Sequence, residues 1–158
     1  MGAVPAPAET LRALYEAFAA HDGEAMAACY APGASFEDPV FTLPDGEVGD
    51  MWRMLNERGT ATIQYRIVDD AHVDWTADYV FEGNPVHNEV SSAFEFGPDG
   101  LITGQVDTFD FPRWDGQALG LKGKLLGRFG FFHNAVRKMT AARLASWQRR
   151  RTEGDTPS

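Results

Sequence analysis

Three short apolar stripes at helical spacing, followed by four runs that alternate with period 2, predict an α+β fold with its helices packed on one face of a sheet. Leu11, Leu14, Tyr15 and Phe18 form the first stripe, and Pro5 and Pro7 limit where that helix starts. Asp22 is placed to N-cap a second helix whose Met26, Cys29 and Tyr30 share a face, and Pro32-Gly33 is expected to stop it. Ser35 to Asp38 then reads as a short strand ended by Pro39. After the Pro44-Asp45-Gly46 turn, Val48, Met51, Trp52 and Leu55 mark a third helix that ends near Gly59.

The period then changes from 3.6 to 2. Ile63, Tyr65 and Ile67 alternate with polar neighbours, as do Val73, Trp75, Ala77, Tyr79 and Phe81. Gly83-Asn84-Pro85 turns the chain into a strand whose Val86, Asn88, Val90, Ser92, Phe94 and Phe96 share one face. Gly97-Pro98-Asp99-Gly100 leads to a last strand, 101–111, with Leu101, Thr103, Gln105, Asp107, Phe109 and Phe111 on one side. These runs predict a four-strand antiparallel meander. Beyond Arg113, glycines recur every three to four residues to Gly130; each costs a helix about 1 kcal/mol relative to alanine, so broken helical turns are expected over 114–130. A final helix is expected over 134–147, with residues 150–158 frayed. The resulting organisation is one domain over 8–111 and a helical extension over 112–149 packed on it.

At 158 residues, 44% apolar and 23% charged, the chain has the balance of a single globular domain rather than a disordered or fibrous one. No apolar run approaches the roughly 18 residues of a membrane span, and the first ten residues lack the basic and apolar segments of a secretory signal. A cytoplasmic location is expected. The single cysteine, Cys29, excludes an intrachain disulfide and a Cys-based zinc cluster, and the four histidines have no ligand spacing, so no metal is expected. The net charge of −9 is unevenly distributed: residues 1–112 hold 20 acids and 4 bases, whereas 113–151 hold 10 bases and Asp115 alone. An acidic body opposes docking on phosphate, so nucleic acid is not an expected partner. The basic segment suits either an anionic surface or the acidic body of its own chain. In particular, 119–133 interleaves Leu, Phe, Lys and Arg as interfacial membrane segments do, although covering the sheet or cavity is the favoured use of those side chains.

Candidate chemistry lies in polar residues on apolar faces. Asp38 follows Phe36 by two residues and should point with it; Asp107 shares a face with Phe109 and Phe111; Asn88, Ser92 and Gln105 interrupt other apolar faces. A concave apolar site with a few convergent polar groups is the usual form of a small-molecule pocket, and partial burial would make a carboxylate a better base near neutrality. From the residues alone the structural alternatives carry equal weight for Asp38 and Asp107 and are favoured for the others. Asp38 could cap a turn, Asp107 could pair with a C-terminal arginine, Asn88 and Ser92 could be satisfied core groups, and Tyr15, Tyr30, Tyr65 and Trp52 could be core aromatics. His87, on a face with Glu89, Ser91 and Glu95, should look toward solvent or an interface.

The order of two helices, a strand carrying Phe36-Glu37-Asp38-Pro39-Val40, a third helix and long antiparallel strands resembles the nuclear transport factor 2-like superfamily, which includes ketosteroid isomerases and SnoaL-like polyketide cyclases. The resemblance spans about residues 8–111 and is strongest from Leu14 to Leu55. It implies a cone-shaped fold with a curved antiparallel sheet, N-terminal helices on its concave face, a conical pocket, no cofactor and, as in many relatives, a homodimer. Glu37-Asp38-Pro39-Val40 is similar to the isomerase segment that carries the catalytic base, which puts that role on Asp38. Tyr30 matches a supporting pocket tyrosine, and Asp107-Thr108-Phe109-Asp110 resembles the acidic pair on the last strand of SnoaL-like cyclases, where an aspartate does acid–base work. The isomerase oxyanion hole needs a tyrosine and a protonated aspartate where this chain has Leu14 and Ser92; Tyr15 is one residue off, about 100° around the helix. The basic Gly/Leu/Lys segment extends beyond the isomerase pattern and resembles the tail of some bacterial members.

Two functions follow as expectations. In the first, Asp38 and Asp107 perform cofactor-free acid–base catalysis (isomerase, cyclase or hydrolase type) on a small, largely apolar molecule, contacted by Tyr15, Tyr30, Met51, Trp52, Leu55, Asn88, Ser92 and Phe109. In the second, the same cavity belongs to a non-catalytic binder or dimeric assembly module and the carboxylates are structural.

Overall fold

A computed structural model describes residues 3–44, 46–57, 59–118 and 130–154. The elements run α1 (Pro7–Ala19), α2 (Gly23–Ala27), β1 (Tyr30–Glu37), β2 (Thr42–Leu43), α3 (Val48–Asn56), β3 (Thr62–Asp69), β4 (His72–Phe81), β5 (Asn84–Phe96), β6 (Ile102–Thr108), α4 (Phe111–Ala118) and α5 (Gly130–Gly154). This is the expected α+β cone: a curved, unclosed sheet of six strands in the order β2-β1-β6-β5-β4-β3, with N-terminal helices and a C-terminal helix.

Helix α1 starts at Pro7, after Ala6, which offers no side-chain cap. A missing cap costs about 1 kcal/mol, whereas burying Leu11, Leu14, Tyr15 and Phe18 contributes about 1.5–3 kcal/mol each. Tertiary burial decides this helix. Helix α2 is capped as expected, Asp22 Oδ1 accepting from the Ala25 N–H at 3.0 Å. Strand β1 begins at Tyr30, so Tyr30 is a strand residue and not the last turn of a helix, and Pro32-Gly33 lies inside the strand. The pairing with β6 is irregular there. Gly46 turns back over this stretch with φ +74°, and a Cβ on it would sit 2.0 Å from the Pro32 carbonyl oxygen.

The meander β3–β6 is antiparallel as predicted, but β1 pairs with β6 in parallel, Phe36 opposite Gln105 and Glu37 opposite Val106. The last strand also differs from the single face expected over 101–111. Pairing jumps from Glu95–Gly104 to Phe96–Ile102, leaving Thr103 as an extra residue. This bulge switches the inward phase, so Ile102 is buried, Thr103 exposed, and Gln105 and Asp107 buried. The strand ends at Thr108, and Phe111 opens α4 instead of closing the strand.

Helix α5 runs to Gly154, so residues 150–154, expected to be frayed, are helical. Its basic face meets the acidic body: Arg143 pairs with Glu82 at 3.0 Å, and Arg151 with Asp50 and Glu24 at 3.4 and 3.5 Å. Such exposed pairs are worth about 0–1 kcal/mol each, so burial of Val136 and Leu144 is the stronger anchor. The stretch proposed for membrane contact, 119–133, lies outside the described residues save for the backbone of 130–133. No described helix is long and apolar enough to cross a membrane.

Candidate active site

Between the helices and the concave sheet face lies a cavity of about 430 Å³. Its walls are mainly aromatic and aliphatic, with Phe18, Phe36, Trp52, Trp75, Tyr79 and Trp114 among the rings. Asp38, Asp107, Asn88 and Arg143 bring polar groups to it, and Met139 and Thr140 join Arg143 from α5.

Asp38 sits just past β1, in the tight connection to β2, where its N–H donates to the Phe41 carbonyl oxygen at 2.9 Å. Its Oδ1 accepts from the Val40 and Phe41 N–H groups, both at 2.6 Å. The turn-capping and cavity-facing readings therefore both hold: one oxygen is committed to the turn, and no hydrogen bond among the described residues reaches Oδ2. Burial pushes the carboxyl up to about 6, against the opposing pull of the two amides and of the Arg137 charge.

Asp107 is held by side chains instead. Register sets Ser92 directly opposite it on β5. Ser92 Oγ donates to Asp107 Oδ1 at 2.5 Å, and Gln105 Nε2 donates to the same oxygen at 2.8 Å. Behind them the donors are ordered in one direction. Trp75 Nε1 and Tyr15 Oη donate to Ser92 Oγ at 2.7 and 3.3 Å. Trp52 Nε1 donates to Tyr30 Oη at 2.9 Å, which donates to Gln105 Oε1 at 2.5 Å. Because both partners of Asp107 occupy Oδ1 as donors, the proton of its neutral form belongs on Oδ2. Burial raises this carboxyl to about 7, opposed by the Ser92 and Gln105 hydrogen bonds and reinforced by the charge of Asp38. Burial likewise pushes the Tyr15 and Tyr30 phenols well above their usual range, which keeps them neutral donors.

The structure brings Asp38, Asp107, Met51, Trp52, Leu55, Asn88 and Phe109 to one cavity. Tyr15, Tyr30 and Ser92 are not in its wall. They are buried behind Asp107, Ser92 bonded to its carboxyl directly, Tyr15 through Ser92 and Tyr30 through Gln105. Asn88 reaches the cavity with an amide that has no hydrogen-bond partner among the described residues. Asp107 has no arginine partner among the described residues, unlike the ion pair weighed as its structural alternative. His87 is exposed and pairs with Asp78 at 2.7 Å. Sequence reasoning did not assign Trp75, Tyr79, Trp114, Met139, Thr140 or Arg143 to the site. The alternation of β4 carries a signal for the first two. The last four come from helices whose docking leaves no periodic trace. No group of three His, Cys, Asp or Glu side chains gathers as a metal site among the described residues.

The SnoaL-like domain family matches residues 11–105, more than half of the chain. The chain belongs to this SnoaL-like family. No curated protein matches it. Among solved structures, it is similar to TerC co-crystallised with polyporic acid, with a TM-score of 0.60 and 16% identity over 73% of this chain and 100% of that one. It also resembles a putative polyketide cyclase from a Silicibacter species (TM-score 0.57, 16% identity, 71% and 94% covered). An LEH-like epoxide hydrolase of M. tuberculosis gives 0.56 and 21% identity over 77% and 96%. At these identities the likeness shows the fold alone, consistent with the nuclear transport factor 2-like cone.

Proposed function

We propose that this SnoaL-like protein is an acid–base enzyme for a small, largely apolar carbonyl compound, with Asp38 as base and Asp107 as acid. The observation that carries this reading is the pair of carboxyls on one apolar cavity, each with Oδ1 tied back and both titrating near neutrality. Asp38 ionises first, at about 6, and its charge helps keep Asp107 protonated to about 7. The Asp38 carboxylate takes the proton from carbon next to the carbonyl. The C–H electron pair moves into the carbonyl, whose oxygen takes the Asp107 proton, with the Asn88 N–H as a second donor. Return of a proton from Asp38 to carbon and of the enol proton to Asp107 restores both groups. Nothing is oxidised or reduced. A putative cyclase and an epoxide hydrolase-like enzyme among the structural neighbours support a reaction of this acid–base kind.

The second reading, a non-catalytic binder, draws on the structural hydrogen bonds that both carboxyls make. Incubation in D₂O with a panel of apolar cyclic ketones separates the two. The enzyme reading expects deuterium at the α-carbon with wild type and none above background with D38N; equal wash-in by both removes Asp38 from the role. Native mass spectrometry of wild type and D38N reports a retained ligand, and the same spectrum tests the homodimer expected from the family resemblance.

A further inference from the structure

The family match ends at residue 105, yet the connection that carries Asp38 is gripped from beyond it. The 38–42 connection presents its carbonyls and hydroxyl outward to α5. Arg137 Nη2 donates to the Asp38 carbonyl oxygen at 3.0 Å, and Nη1 donates to Thr42 Oγ1. One turn along, Thr140 Oγ1 donates to the Val40 carbonyl oxygen at 2.6 Å. On the inner side of the same connection, the amides of Val40 and Phe41 hold the Asp38 carboxylate. The Val40–Phe41 peptide thus carries both contacts, its carbonyl held by Thr140 and its N–H holding the carboxylate, while Arg137 ties the two ends of the same connection at the Asp38 carbonyl and the Thr42 hydroxyl. Val136 on the same helix is buried, which fixes the height of Arg137 above the loop.

We propose that Arg137 is a positioning residue, with Thr140 as a second tether, through which the C-terminal helix fixes the Asp38 carboxylate in the cavity wall. The role is built on the reading of Asp38 as the base, but it is measurable without turnover. The charged and titratable groups around Asp38 are Glu37 on its own strand, Asp107 from β6, Tyr79 from β4 and Arg137 from α5, with Arg143 on the same cavity. Arg137 is the cation that lowers the Asp38 carboxyl, so its removal must move that titration upward.

The test is ¹³C NMR titration of the Asp38 side chain in the full chain, assigned with D38N, for wild type, R137Q and R137K. R137Q is expected to raise the Asp38 midpoint by about one pH unit, and R137K to restore most of it. A folded R137Q with an unmoved Asp38 midpoint overturns the proposal. Should R137Q not fold, T140V decides, since it keeps every charge. It is expected to speed hydrogen exchange of the Val40 and Phe41 amides at least about threefold relative to the β4–β5 ladder; unchanged exchange overturns the tether. The two readings fail separately. A moved midpoint in R137Q with full wash-in by D38N keeps the tether and discards the base, and a silent D38N with an unmoved midpoint does the reverse.

Discussion

Asp38 and Asp107 are the same residue type on the same cavity, and they are held by opposite means. Asp38 sits in a tight connection at the sheet edge, gripped by backbone amides two and three residues along. Asp107 sits inside the sheet, gripped by side chains from β5 and its own strand, themselves backed by tyrosines and tryptophans. Amide donors two or three residues away fold with the carboxylate they hold. Of the two side-chain donors to Asp107, Gln105 is a strand neighbour but Ser92 comes from 15 residues away, and the groups behind them, Trp75 and Tyr30, lie 17 and 75 residues from the side chains they hold, so Asp107 is oriented only when the concave face has assembled. The first arrangement suits a base that keeps a charge with modest help. The second suits an acid whose proton must sit on a chosen oxygen.

Substitutions break this contrast in order of size. D38N removes the proposed base, and wash-in on a responding ketone is expected to fall by about 10²–10⁴. D107N leaves a donor in place but no transferable proton; a loss of about 10² is expected, with disappearance of the alkaline limb. In wild type that profile should be a narrow bell, rising through about 6 as Asp38 ionises and falling through about 7 as Asp107 does. D107N should also alter stability. A carboxyl raised on folding contributes stability fully below its unfolded value near 3.8, and that contribution is lost as pH rises through about 7. Urea melts should thus show wild type weakening between about pH 4 and 7 more than D107N does.

Smaller changes sharpen the comparison. Q105L removes a donor to the charged form of Asp107, so the alkaline limb should move up while the acid limb stays. It also strands the Tyr30 hydroxyl and should cost about 1–3 kcal/mol in a urea melt. Y30F is milder, because Gln105 still faces Asp107; a loss of about 1–2 kcal/mol, from the orphaned Trp52 N–H, is expected with little movement of either limb.

Much of this architecture is legible in local spacing. The stripe on α1, the Asp22 cap and the alternation on β4 and β5 report burial that neighbouring residues repeat, so a short window suffices. Asp38 and Asp107 are legible for the same reason, as acids where the period demands carbon. The parallel β1–β6 pair joins segments far apart in the chain and has no local signature, and neither has the extra residue at Thr103 that turns Gln105 and Asp107 inward. Periodicity and resemblance also assign a face and not a depth. Ser92 from its strand face, Tyr15 from its helical stripe and Tyr30 from the resemblance read as wall residues, and none of the three lines the cavity. The docking of α5 was least legible, since Arg137, Thr140 and Arg143 are polar residues on a mostly polar helix and their partners lie some 60 to 100 residues upstream.

The parallel seam between β1 and β6 bears on how the protein comes into being. Strands β3 to β6 are linked by short turns and can zip up from contacts close in sequence, whereas β1 must wait for β6 to exist before it has an edge to join. Closing that long excursion is the slow, entropy-limited step of such topologies. The proposed chemistry straddles this seam, with Asp38 on one side and Asp107 on the other. A chain that has completed its meander but not its closure would hold the proposed acid without the proposed base, so maturation of activity should track the last folding phase and not the first.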